Sequence, residues 1–272
     1  MMSARARRSI LAMSILAIAS LPGAAQAATC GNNASGFEAW KAEFSRQAAG
    51  KGIGNRGLRA LAGTSYATST IKADRGQKSF KLSLDQFMAK RGARAIVAKG
   101  KTLKRQNAQL FGEIERRYGV PAGPLIAIWG METGFGGYMG NSNILSAVAT
   151  LAYDCRRPEF FTNHLYAALE LVDRGWLSPQ AIGAAHGEIG QTQFLPANVL
   201  KYGVDMDGGG IDLIRSRPDA LASTANFLRG HGWRPGAGYQ PGQPNFAALQ
   251  GWNAAKVYQQ AIAIIGAEID GP

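Results

Sequence analysis

Leu125-Ile126-Ala127-Ile128-Trp129-Gly130-Met131-Glu132-Thr133-Gly134-Phe135-Gly136 is an apolar run that closes on one carboxylate and then on glycine. An uncharged stretch of this kind, starting just after Pro124, predicts a helix buried all round rather than one laid on a surface. Gly134 and Gly136 predict its end. A carboxylate at that end loses hydration among aromatic and apolar neighbours, so its pKa should rise. That is the state a general acid needs to protonate a leaving oxygen near neutral pH. The same position also suits a purely structural glutamate that accepts from backbone donors at a helix end.

The flanking sequence is helical in period. Leu103, Leu110, Phe111, Ile114 and Tyr118 fall largely on one face of a helix from Lys101 to Tyr118, which Gly119 and Pro121 should end. Phe161, Leu165, Ala168, Leu169 and Val172 form another amphipathic stripe. Ser216 and Asp219 resemble a capping box, with Pro218 in the first turn and Leu221, Thr224, Ala225 and Leu228 behind it. Val257 to Ile269 reads as a last apolar helix, and Ser79 to Leu84 is the best strand candidate. Glycines gather at 134–140, 208–210 and 230–242. These signals predict a mainly α domain with irregular Gly-rich loops and a minor β element. Residues 28–75 are polar and weakly patterned, which predicts a loosely ordered lead-in ahead of a catalytic domain over 76–272.

The N-terminus predicts the compartment. Arg5, Arg7 and Arg8 precede an apolar stretch from Ile10 to Leu21, then the small-residue site Pro22 to Ala27. That is the pattern of a cleaved signal peptide over 1–27, and the stretch is short for a membrane span. Cleavage would leave 245 of 272 residues and, without three leader arginines, a charge of +9 in place of +12. Such a basic exported chain suits an anionic cell-wall polymer better than nucleic acid, which is not expected as a partner. Stable membrane insertion after cleavage is not expected either, and protein partners are left open. Cys30 and Cys155 are the only cysteines, so in an oxidising compartment they predict one disulfide. Two cysteines and three scattered histidines show no zinc spacing. Nucleotide-binding and serine-hydrolase motifs are missing.

Further motifs stand around Glu132 in a fixed order. Arg117-Tyr118-Gly119-Val120-Pro121 precedes it. Ala149-Thr150-Leu151-Ala152-Tyr153, Arg156-Arg157-Pro158-Glu159-Phe160-Phe161, Gly190-Gln191-Thr192-Gln193-Phe194-Leu195-Pro196 and Pro218 to Phe227 follow, with Gly232-Trp233 last. Together with Glu132-Thr133-Gly134-Phe135-Gly136 this series resembles the lytic murein transglycosylases of the B type, glycoside hydrolase family 103 of the lysozyme-like superfamily, over roughly residues 75–265. The resemblance implies a lysozyme-like catalytic domain that cleaves the N-acetylmuramic acid–N-acetylglucosamine bond of peptidoglycan glycan strands in the periplasm. It implies Glu132 as sole acid/base, with the substrate's own 6-hydroxyl as nucleophile and 1,6-anhydro ends as product. No cofactor is implied. Arg156, Arg157 and Gln193 match cleft residues of that family, and Trp252-Asn253 stands where it commonly has Tyr-Asn.

Two departures from the family pattern carry expectations of their own. Ala184 replaces a sugar-contacting serine, and Glu188 adds a carboxylate where the family has a small residue. Glu188 is expected to serve in pairing or a loop hydrogen bond. The alternatives are a hydrolytic muramidase using Glu188 as second carboxylate, or a non-catalytic cell-wall binding protein. Asp205 to Asp212 resembles the family's calcium-type loop, but calcium takes six to eight oxygens and Gly209 replaces one acid, so weak binding or none is expected.

Overall fold

The computed structural model describes residues 29–76 and 82–271. The predicted signal peptide lies outside the described residues. Within them the chain is mainly helical, as expected: α1 (Phe37–Gly50), α2 (Asn55–Ala62), α3 (Thr68–Arg75), α4 (Leu84–Arg91), α5 (Ala93–Gln106), α6 (Ala108–Tyr118) and α7 (Ala122–Thr133) come first. Then follow α8 (Ile144–Tyr153), α9 (Pro158–Asp173), α10 (Pro196–Tyr202), α11 (Arg217–Gly230), α12 (Phe246–Trp252) and α13 (Lys256–Asp270). The minor β element is one antiparallel pair, β1 (Ser142–Asn143) with β2 (Ile182–Gly183), in the register Ser142 to Gly183.

The quoted run is the centre of the core. Every residue of α7 is buried except Glu132, which stays partly open. Its helix packs between α5 and α13, and Gly123 sets how closely: a Cβ there would lie 2.2 Å from the Gly266 carbonyl. Gly134 ends α7 in the left-handed conformation at φ 59°, which glycine adopts without steric cost. On the other side α8 and α9 pack together with α2 and α10, and α11 contacts both α10 and α7. Glu132 therefore faces the seam where these two groups of helices meet.

Four local expectations need correction. Residues 37–75 are not a loose lead-in but form α1, α2 and α3. Phe37, Trp40 and Phe44 are buried at helical spacing and pack on Tyr153 and Tyr166. The anchors come from far along the chain: Asp173 accepts from the Gly54 and Gly57 amides at 2.6 and 2.8 Å, and Thr150 Oγ1 from the Ala67 amide at 2.8 Å. Local patterning could not register them. The single helix from Lys101 to Tyr118 is two, broken at Asn107. Of the strand candidate, residues 79–81 lie outside the described residues, while Ser83 caps α4 in a full capping box with Gln86. At Ser216 only half the box forms, because the Asp219 carboxylate turns to the Met206 and Asp212 amides instead.

Candidate active site

Glu132 opens into a cavity of about 240 Å³, together with Glu188, Gln193, Phe194, Asn198, Phe227, Trp252 and Asn253. The penultimate position of α7 puts its carboxylate at the helix mouth, and two later helices supply its partners. Tyr258 of α13 donates its hydroxyl to Glu132 Oε1 at 2.6 Å, and Trp252 of α12 donates Nε1 to the same oxygen at 3.2 Å. Two donors on Oε1 make it the acceptor oxygen, so a proton on this group belongs on Oε2. Burial pushes the Glu132 carboxyl above its usual range; Tyr258, Trp252 and Arg91 oppose this, and the charge of Glu188 adds to it. Burial beside Glu132 drives the Tyr258 hydroxyl far upward, so it remains a donor.

The loop facing Glu132 is tied to α7. Thr133 Oγ1 donates to the Gln191 carbonyl at 2.6 Å and accepts from the Gly136 amide at 2.9 Å. Ile189 and Phe194 exchange backbone bonds at 2.7 and 3.0 Å and pinch the loop between them. Gln193, inside that pinch, has φ 59°, a left-handed conformation that costs a residue with a Cβ roughly 1–3 kcal/mol. Its Nε2 donates to the Gly190 carbonyl at 2.8 Å. Asn253 accepts the Ala255 amide on Oδ1 at 2.9 Å, shaping the turn into α13. Trp252 stacks edgewise on Phe194 and Phe227.

Arg156 and Arg157 do not line this cavity. Both pair with Asp74 of α3, Arg156 also donating to the Asp74 carbonyl at 2.8 Å, while about half of each side chain stays exposed. Burial alone would raise the Asp74 carboxyl, but the two arginines outweigh it and hold it low. Asp74 leads back to the cavity through His186, whose Nε2 is 3.7 Å from Asp74 Oδ1 and whose Nδ1 is 3.1 Å from Glu188 Oε1. The Glu188 bond pushes the His186 ring up against the effect of burial. Glu188 itself would be raised by burial, but His186 and two backbone amides keep it low. Sequence reading thus missed Tyr258, Asp74, His186 and Arg91. Tyr258 looked like one more core position of the last apolar helix, and nothing local signals its reach to Glu132.

Two other features are separate from this centre. A larger groove of about 820 Å³ shares the Gly136–Gly140 loop but neither glutamate. Asp205, Asp207 and Asp219 bring carboxylate oxygens within 4.8 Å of one another.

The sequence model of the family described as "Transglycosylase SLT domain" matches residues 36–243, in agreement with the resemblance carried by the ordered motifs. Membrane-bound lytic murein transglycosylase B of Escherichia coli is 36% identical over 137 residues, which span 47% of this chain and 38% of that protein. The match therefore covers well under half of that relative's length. The structure of SltB3 from Pseudomonas aeruginosa in complex with NAG-anhNAM-pentapeptide superposes with a TM-score of 0.80 at 30% identity, covering 86% of this chain and 80% of that one. The same protein in complex with NAG-NAM-pentapeptide gives 0.80 at 30% identity, over 87% and 80%.

Proposed function

Because this chain belongs to the transglycosylase SLT domain family, we propose that it is a lytic murein transglycosylase that cuts the N-acetylmuramic acid–N-acetylglucosamine β-1,4 bond and leaves 1,6-anhydro-N-acetylmuramyl ends. The observation that carries the reading is Glu132, a carboxyl raised by burial, with both donors on Oε1 and its other oxygen free for a substrate. In the first step Oε2 gives its proton to the glycosidic oxygen as the bond from C1 breaks. The carboxylate so formed is stabilised by Tyr258 and Trp252. It then takes the proton of the substrate's 6-hydroxyl as that oxygen closes on C1, which returns Glu132 to its starting state. No second protein carboxylate and no metal enter the sequence.

Gln193, Trp252 and Asn253 are the proposed sugar-side wall of the site. Arg156 and Arg157 have a different proposed place: half exposed beside Asp74, they would meet carboxylates of the lactyl and peptide stems at the rim. The proposed compartment is the periplasm, from the leader pattern of residues 1–27. No helix among the described residues is long and apolar enough to cross a membrane. The carboxylate oxygens of Asp205, Asp207 and Asp219 already accept from the Gly208, Gly210, Gly209, Met206 and Asp212 amides and the Ser216 hydroxyl, so millimolar calcium should move the melting temperature little.

A hydrolytic reading has one observation in its favour, the presence of Glu188 in the cavity. Both Glu188 oxygens face His186, however, and neither is left to activate water unaided. Mass spectrometry of fragments released from purified sacculi tests the proposal. Anhydro ends are expected; reducing muramic ends would make the protein a muramidase.

A further inference from the structure

The single-acid sequence leaves Glu188 without a task, yet the fold invests several side chains in holding it. Backbone bonds already close its loop: the Ala184 amide reaches the Glu188 carbonyl, and the Gly187 amide the Ala184 carbonyl. Neither needs a carboxylate. The side chain instead takes Nδ1 of His186 at 3.1 Å on Oε1 and the His186 amide at 2.9 Å on Oε2. His186 turns its other nitrogen, which has no hydrogen-bond partner, toward Asp74 Oδ1 at 3.7 Å. Asp74 is buried and paired with Arg156 and Arg157. Charges of alternating sign thus run from the arginine pair through Asp74 and His186 to Glu188 on the cavity wall.

The end of that chain faces Glu132. Glu132 and Glu188 both line this cavity of about 240 Å³, and the Glu188 charge acts on the Glu132 carboxyl in the same direction as burial. From α4, Arg91 sets a cation near Glu132, holding the Met131 carbonyl at 3.1 Å and stacking over Phe87 and Tyr258. That cation and the donors Tyr258 and Trp252 all favour loss of the Glu132 proton. Burial opposes them most, and a negative charge across the cavity adds to burial.

Resting on the reading of Glu132 as the acid, we propose that Glu188 is a positioning residue whose charge, fixed by His186 and Asp74, adds to burial in keeping the proton on Glu132. It acts on the acid without touching the reacting atoms.

The test is the pH dependence of kcat/KM on soluble glycan fragments, with melting temperatures recorded for each protein. The alkaline limb reports deprotonation of the acid. In Glu188→Gln that limb should move down, by about one pH unit at most, because burial and the donors on Oε1 are unchanged. The variant would be slower above both limbs, up to about tenfold, and near wild type below them, and Glu188→Asp should return the limb toward its place. An unmoved limb overturns the proposal. So does a uniform loss at every pH, whether with a lowered melting temperature (a structural role) or with full stability (Glu188 reacting itself). Glu132→Gln, measured alongside, separates the two readings: activity there would sink Glu132 as the acid, whereas an inactive Glu132→Gln with an unmoved limb in Glu188→Gln sinks only the coupling.

Discussion

The Tyr258 hydroxyl lies 2.6 Å from Glu132 Oε1, joining residues 126 positions apart at the mouth of α7. It is the shorter of the two hydrogen bonds to Oε1 and, with that of Trp252, determines which oxygen carries the proton. Removing it should leave the fold intact, since Tyr258→Phe keeps the buried ring against Phe87. A hydrogen bond to a charged group contributes roughly 1.5–3 kcal/mol, which sets the expected loss in kcat at about 10–100-fold. Because Tyr258 favours the ionised form of Glu132, its loss should shift the alkaline limb of kcat/KM upward. A limb that falls or stays put would show that the hydroxyl does not act on this carboxyl.

Glu132→Gln should fold at least as well as wild type while losing roughly 10²–10⁴ in rate. The stability side follows from proton linkage. A carboxyl raised in the folded state favours folding only while it is protonated, so wild-type stability declines as pH climbs from the ordinary carboxylate range toward the raised value. Glutamine lacks that dependence. The variant should therefore be the more stable protein at neutral pH, with the gap closing in acid. Urea midpoints at pH 4 and pH 7 check this, and a variant less stable at pH 7 would contradict it.

The parts legible in sequence are those that rest on local pattern. The buried helix, its glycine stop and its lone carboxylate can all be read from Leu125 to Gly136, because an uncharged helix has nowhere to go but the core. Gln193, Trp252 and Asn253 could be placed by resemblance, and they do line the cavity with Glu132. The missing parts depend on distant partners. The α1 stripe of Phe37, Trp40 and Phe44 is diluted by polar neighbours and becomes a core face only against α8 and α9. Asp74 and His186 are 112 residues apart and meet only through the tertiary fold. The arginine pair was recognisable, but its engagement with Asp74 was not, because that acid belongs to a segment with no pattern of its own.

Cys30 and Cys155 are bridged across 125 residues, and the bridge sits beside the Arg156–Arg157 pair. Around it, the Gly31 amide bonds the Tyr153 carbonyl at 3.0 Å, and Asp154 holds both Arg75 and the Arg156 amide. Chain entropy assigns a loop of this length roughly 4–5 kcal/mol, an upper figure for a link so near the end of the described chain. Cys30→Ser/Cys155→Ser should lower the melting temperature by several degrees with wild-type kcat in the cold, because neither cysteine lines the Glu132 cavity. Equal melting temperatures with and without reductant would show that the link constrains little.

His164 makes a separate prediction about acid. Burial among Phe160, Phe161 and the rest of α9 lowers its pKa to about 4, and its Nδ1 accepts the Ala197 amide at 3.3 Å in the first turn of α10. A neutral ring is what that bond requires, since a protonated Nδ1 cannot accept. The unfolded chain protonates near the ordinary value of 6.5, whereas the folded one does not until about 4. Stability is thus fully present above pH 6.5 and lost as pH falls toward 4, by on the order of 3 kcal/mol. Glu132 runs the other way in part of this window, and His186, raised by Glu188, contributes stability that is lost above 6.5 instead. Total stability against pH would mix all three, so the measurement must be a difference. His164→Asn keeps an acceptor for the Ala197 amide on Oδ1 and cannot ionise. Subtracting its urea midpoints from those of wild type at each pH cancels the other groups. The difference should be flat above pH 7 and swing in favour of the variant between pH 6.5 and 4. A difference that stays flat to pH 4 would mean that the folded protein protonates His164 as easily as the unfolded chain does.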